Sequence, residues 1–156
     1  NDGKLRIPVE GLDSVTGELS RILKHELVHS FVNQITRNRC PVWLNEGVAM
    51  ALEPRSSSAQ GRQLARLFAA QKHIPLGQLE GSFLRLGQAQ ASLAYLESLA
   101  AVEYIRETYG MSDVVRVLER IGEGSTTEAA LRAVVRAGYG RREEDVAAYL
   151  KRTYGE

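Results

Sequence analysis

The sequence predicts a mainly α domain, α+β in the broad sense because of a single strand at its N-terminus. Apolar residues recur at helical spacing over most of the chain, and only residues 4–9 alternate at a period of two. Glycine or proline marks the point where most helical runs stop. With 156 residues, 44% of them hydrophobic, the chain can bury one core and is short for two, so one unit over residues 1–156 is expected. A formal charge of +1, with acids and bases interspersed, argues against nucleic acid as a partner, and no apolar run is long enough to insert in a membrane. Cys40 is the one cysteine, so no disulfide closes within the chain, and the compartment stays open. Because the chain starts at Asn1 and not at methionine, it reads as a piece of a longer protein.

"KLRIPVEGL" alternates Leu5, Ile7 and Val9 with Lys4, Arg6 and Pro8, and the proline suits an edge strand. Ser14 or Thr16 can cap a helix through "GELSRILKHELVHSFVNQI", with Leu19, Ile22, Leu23 and Phe31 on its apolar face. "TRNRCP" breaks that pattern, and Pro41 suits the first turn of a second helix, "PVWLNEGVAMALE", so the two should form a hairpin. "PRSSSAQG" reads as a loop before a helical "RQLARLFAAQKH", and "IPLGQLEGSFLRLG" is irregular. A long helix follows from about Gln88 to Tyr109, closed by Gly110, and Ser112 opens another through "DVVRVLERIG". "STTEAALRAVVRAGYG" and "REEDVAAYLKRTYG" supply the last amphipathic helices. The endings "ETYG" and "RTYG" read as tyrosines beside glycine caps, not as a repeat.

The first helix carries "HELVH", residues 25 to 29. Histidines four apart on a helix face the same way, with Cβ atoms ~6 Å apart, so two imidazoles can close on one metal ion. Glu26 sits one step round the helix, where it can take a proton from a water that the ion activates; this is why the motif marks zinc hydrolases. With three histidines and fifteen glutamates placed at random, the pattern would arise with a probability of roughly 0.4%. A catalytic zinc needs a third protein ligand and an open position. Glu46 is the candidate, because the walks from His29 to the hairpin turn and back are both ~7 to 10 Å. Read without its neighbours, Glu46 would be an ordinary carboxylate early in a helix.

Those neighbours carry a resemblance. "WLNEGVAMALE" after "HELVH" resembles the gluzincin metallopeptidases, and "WLNEG" resembles the third-ligand segment of the M1 aminopeptidases and of the bacterial peptidase MA-like domains. The likeness is specific over residues 4–53 and looser at "AYLESLAAVEYIRETYG" and "GEGSTTEAALRAVV". Sixteen residues separate His29 from Glu46, slightly fewer than in M1 enzymes, which favours the MA-like group. Residues 1–24 hold no Gly-x-Met-Glu-Asn segment, so aminopeptidase activity is not implied. The resemblance implies a gluzincin/zincin-like catalytic domain: an edge strand, an active-site helix hairpin and a helical C-terminal part. It implies that His25, His29 and Glu46 bind one Zn2+, that Glu26 is general base and then proton donor, and that a peptide or protein is the substrate. It also implies a bacterial envelope or secreted setting and helical-repeat regions of the parent protein as partners.

Gluzincins stabilise the oxyanion with a later tyrosine or histidine, and Tyr95 is the candidate; its other reading is a core residue in line with Leu99 and Val102. Tyr104 is second. Glu53 and Asn45 read as solvated or capping residues that could also brace the ligands. Trp43 should pack the hairpin, His73 reads as a surface or helix-end histidine, and Cys40 as a bystander. The alternative to an enzyme is a catalytically inactive zincin-like binding or scaffold module in a larger protein. A structural zinc site is disfavoured because no fourth Cys or His lies nearby, while a hydrolase acting on a non-peptide amide stays open.

Overall fold

A computed structural model describes residues 17–53 and 58–155. The expected strand and the Ser14/Thr16 cap lie outside them, and no strand occurs among the described residues. Seven α-helices do: α1 (Gly17–Thr36), α2 (Val42–Ala51), α3 (Ser58–Ala69), α4 (Gln88–Tyr109), α5 (Met111–Gly122), α6 (Thr127–Val135) and α7 (Tyr139–Tyr154), with two short 3-10 turns between α3 and α4. No described helix is long and apolar enough to cross a membrane.

The α1–α2 hairpin forms as the sequence predicts. Arg37 and Asn38 both take positive φ, 52° and 59°, and the Asn38 amide returns to the carbonyl of Asn33 at 2.8 Å, which closes α1. Pro41 then caps α2 from extended backbone. Helix α2 is the centre of the core: Trp43, Leu44, Val48, Ala49, Met50 and Ala51 are all buried. Its most extensive partner is α4, which at 22 residues spans ~33 Å and also meets α3, α5 and α7. The two axes approach closely at Gly47, where an added Cβ would lie 2.4 Å from the carbonyl oxygen of Ser98 and 2.6 Å from Val102. Trp43 does not pack within the hairpin alone: fully buried, it meets the ring of Tyr139, at the start of α7, edge to face at 6.2 Å.

Gly110 turns α4 into α5 with φ +93°, a conformation that favours glycine. Helix α5 buries Val114, Val117, Leu118 and Ile121 at helical spacing. The Thr126 hydroxyl caps α6 by accepting from the Ala129 amide at 3.1 Å. Both expected tyrosine–glycine endings occur: Tyr154 lays its ring on Gly61, while Tyr109 faces the Arg142 guanidinium at 5.5 Å.

Four readings are corrected. Phe31 is 61% exposed, because the apolar positions of α1 spread round the helix and only Val32 and Thr36 are buried. Helix α3 is shifted toward the N-terminus, and Gln71 at φ 54° leads out of it before His73. His73, just past the end of α3, is half-buried and not free on the surface; it stacks on Phe68 at 4.3 Å and faces Glu143 at 3.8 Å. Tyr104 is buried with Arg142 and Tyr149, apart from the histidines. Burial pushes the Cys40 thiol up to about 12.

One buried acid has no signal in the sequence. Glu97, on α4, accepts from the Ile74 amide at 3.0 and 3.1 Å. Burial raises its pKa to about 7, the Ile74 hydrogen bond opposes the rise, and Glu143 adds to it.

Replacing Gly47 with alanine is expected to cost about 1–3 kcal/mol in urea unfolding, because backbone and a branched side chain occupy the space. The raised Glu97 pKa means that the fold holds a proton which the unfolded chain releases. Stability on this account falls as pH rises from about 4.5 to about 7 and levels beyond. Thermal melts across that window should show a shallower decline for Glu97→Gln than for the wild type.

Candidate metal centre

His25 and His29 stand one turn apart on α1, and the hairpin brings Glu46 of α2 opposite them. The two Nε2 atoms are 2.9 Å apart, and each is 3.7 Å from Glu46 Oε2. A circle through these three atoms has a radius of ~2.0 Å, the length of a bond from zinc to imidazole nitrogen or carboxylate oxygen. The cluster could therefore hold a metal ion, with three protein donors of the appropriate types.

The other face of each ring is also committed. His25 Nδ1 lies 2.5 Å from Glu53 Oε1, and His29 Nδ1 lies 2.8 Å from Asn45 Oδ1. A carboxylate and an amide oxygen accept and do not donate, so both Nδ1 atoms carry protons. The Asn45 amide is held in that sense by its own donation to Asn33 Oδ1 at 3.2 Å. With both Nδ1 protons committed, neutral rings would point two lone pairs at each other across 2.9 Å. A cation between them, a proton or a metal ion, removes that repulsion.

Glu53 and Asn45 are therefore not solvated or capping residues. The Glu53 side chain is only 2% exposed, and it accepts from Arg21 Nη1 at 3.0 Å as well as from His25. Arg21 in turn binds Glu18 at 2.7 Å. Arg21 and Asn33 carry no such signal in the sequence, and Glu53 lies just past the end of α2, which stops at Ala51 and not at Glu53 as the sequence suggests. The His25 pKa is raised above its ordinary value, first by Glu46 and then by Glu53, against a lowering contribution from burial. In the metal-free protein this gives stability that is fully present below about pH 6.5 and is lost as pH rises through the folded pKa.

The cluster opens on a cleft of about 620 Å³. Helix α1 lines it with Glu26 beside the histidines, α2 with Met50, α3 with Gln60, and α4 with Ser92, Tyr95 and Leu96. Glu26 and Tyr95 thus both face the space next to the three donors. Tyr95 is 37% exposed, with its ring edge to face on Phe83 at 5.1 Å. Its phenol pKa is raised, first by burial and then by the Glu46 charge. Tyr104, the second candidate, does not line this cleft.

The family model described as the peptidase MA superfamily matches residues 10–152. Neither the curated proteins nor the solved structures yield a match.

Replacing either carboxylate facing His25 should lower its pKa. Proton NMR titration of the metal-free protein should show the His25 resonance moving to lower pH in Glu53→Gln and in Glu46→Gln. An unchanged midpoint in both would mean that the ring is not held as described.

Proposed function

The chain belongs to the peptidase MA superfamily, and on that premise we propose that it is a zinc-dependent metallopeptidase hydrolysing peptide bonds. The observation that carries this reading is the triangle of His25 Nε2, His29 Nε2 and Glu46 Oε2, with both Nδ1 protons committed elsewhere and an open cleft in front. Two imidazoles and one carboxylate with an open side form a donor set suited to catalytic zinc.

When bound, zinc supplies a water of lowered pKa and polarises the scissile carbonyl. His25 and His29 would hold the ion through Nε2, and Glu46 through a carboxylate oxygen. Glu53 and Asn45 fix the two rings so that these nitrogens already point at the site, and Arg21 holds Glu53. Glu26 takes the proton from the attacking water and passes it to the departing amine, which would otherwise be a poor leaving group. Tyr95 donates its phenol hydrogen to the oxygen on which charge develops; its raised pKa keeps that hydrogen in place.

Elemental analysis after equilibration with slight excess zinc should find one ion per chain in the wild type and a loss of zinc in His25→Ala and Glu46→Ala. Glu26→Gln should keep the ion and lower peptide turnover by about 10²-fold or more. Equal turnover in wild type and Glu26→Gln would leave the inactive scaffold as the better reading. Zinc must displace the His25 proton, so apparent affinity should rise about tenfold per pH unit until pH passes the His25 pKa. Because that pKa is raised, the rise should continue above pH 6.5.

A further inference from the structure

The chain leaves α3 through a stretch with no regular helix, residues 70–75, before the first 3-10 turn at Leu76–Leu79. Carboxylates from two other helices hold this stretch. Glu97 of α4, only 1% exposed, accepts from the Ile74 amide with both of its oxygens, and Glu143 of α7 accepts from the Leu76 amide at 2.8 Å. Pro75, between those amides, has no hydrogen to donate. His73 completes the cluster: its ring stacks on Phe68, its Nε2 faces Glu143, and its buried Nδ1 has no hydrogen-bond partner among the described residues.

This cluster is not a second metal site, because among the described residues only His25, His29 and Glu46 bring ligand atoms close enough to share an ion. It is a fastening between backbone and buried acid. Of the elements packed on α4, α7 sets the Glu143 charge against Glu97, and the stretch after α3 sets His73 beside Glu143. The charges on the remaining elements are engaged elsewhere. Glu46 of α2 faces the histidines of α1, Asp113 of α5 meets Arg116, and Arg62 and Arg66 of α3 line a groove on the outer side, toward α7.

A neutral Glu97 can stay under its cover at little cost, whereas an ionised one is buried against a second carboxylate and gains by reaching water. Residues 70–75 are the part of the cover that can lift without unwinding a helix. We propose that residues 70–76 form a pH-sensitive latch, closed over a protonated Glu97 and opening more often once Glu97 ionises. Burial raises the Glu97 pKa from 4.5 to about 7, the Ile74 hydrogen bond opposes the rise, and Glu143 adds to it. The closed latch therefore holds a proton that the open one releases. Opening becomes easier as pH rises from about 4.5 and changes little above about 7. The latch is independent of the metal reading.

Amide hydrogen exchange of the whole chain, followed by NMR with each rate divided by its intrinsic value at that pH, tests the latch. The Ile74 amide should lose protection at least tenfold between pH 5 and 7 and little beyond. It should also exchange faster than the amides of Val48 and Ala49, which are buried in α2. In Glu97→Gln, which keeps an oxygen for the Ile74 amide and cannot ionise, the pH dependence should vanish. In Glu143→Gln the loss of protection should be smaller and should level off at a lower pH, because the like charge is gone; circular dichroism checks that both variants fold. Equal protection at Ile74 and in α2 would overturn the proposal, since opening would then be global unfolding. Protection at Ile74 that ignores pH in the wild type, or that keeps its full pH dependence in Glu97→Gln, would overturn it as well.

Discussion

The approach of α2 to α4 at Gly47 is the constraint on which the rest of the structure depends. Only a residue without a Cβ allows the Ser98 carbonyl and Val102 to come so near. That contact seats the central buried helix, and Glu46 is the residue before it. The depth of α2 in the core therefore sets where the third donor stands relative to α1. The glycine in "WLNEG" acts through packing, and its neighbour Glu46 is one of the three residues whose atoms could hold a metal ion.

Around this seat the polar groups form one connected arrangement. Glu18 and Glu53 hold Arg21, Glu53 holds His25, Asn45 holds His29, and Asn33 holds Asn45. Burying the Glu53 carboxylate without partners would be costly, and its contacts with Arg21 and His25 offset that cost. The same contacts decide which ring nitrogen of each histidine faces the cleft. The atoms that could hold an ion are thus aimed in advance, which would lower the reorganisation that binding requires.

The groove between α3 and α7 follows from a different feature of the fold. Helices α3 and α7 pack on each other and both meet α4, and Ala65 and Ala69 of the one and Ala147 and Ala148 of the other line the groove between them. Arg62, Arg66 and Lys151 gather there although the chain as a whole is nearly neutral. Net charge alone gives no indication of such a patch, because it depends on which helix faces come together.

Much of this protein is legible from local sequence. The helices with clear apolar periodicity, the glycine that ends α4 and the proline that opens α2 are where the spacing places them, because those signals are local backbone and side-chain preferences. The pairing of His25 with His29 is legible for the same reason: four residues of one helix fix their separation. By contrast, Glu53 and Asn45 look like ordinary polar residues on the second helix, Phe31 looks like core, and His73 looks exposed. Their environments depend on elements distant in sequence, and no local period records them. The sequence by itself determined the succession of helices, the glycine that closes α4, the proline that opens α2 and the two histidines that share a turn. The tertiary structure alone decided how Glu46 meets them and which partners orient the rings, because each requires surfaces from separate helices to be packed together.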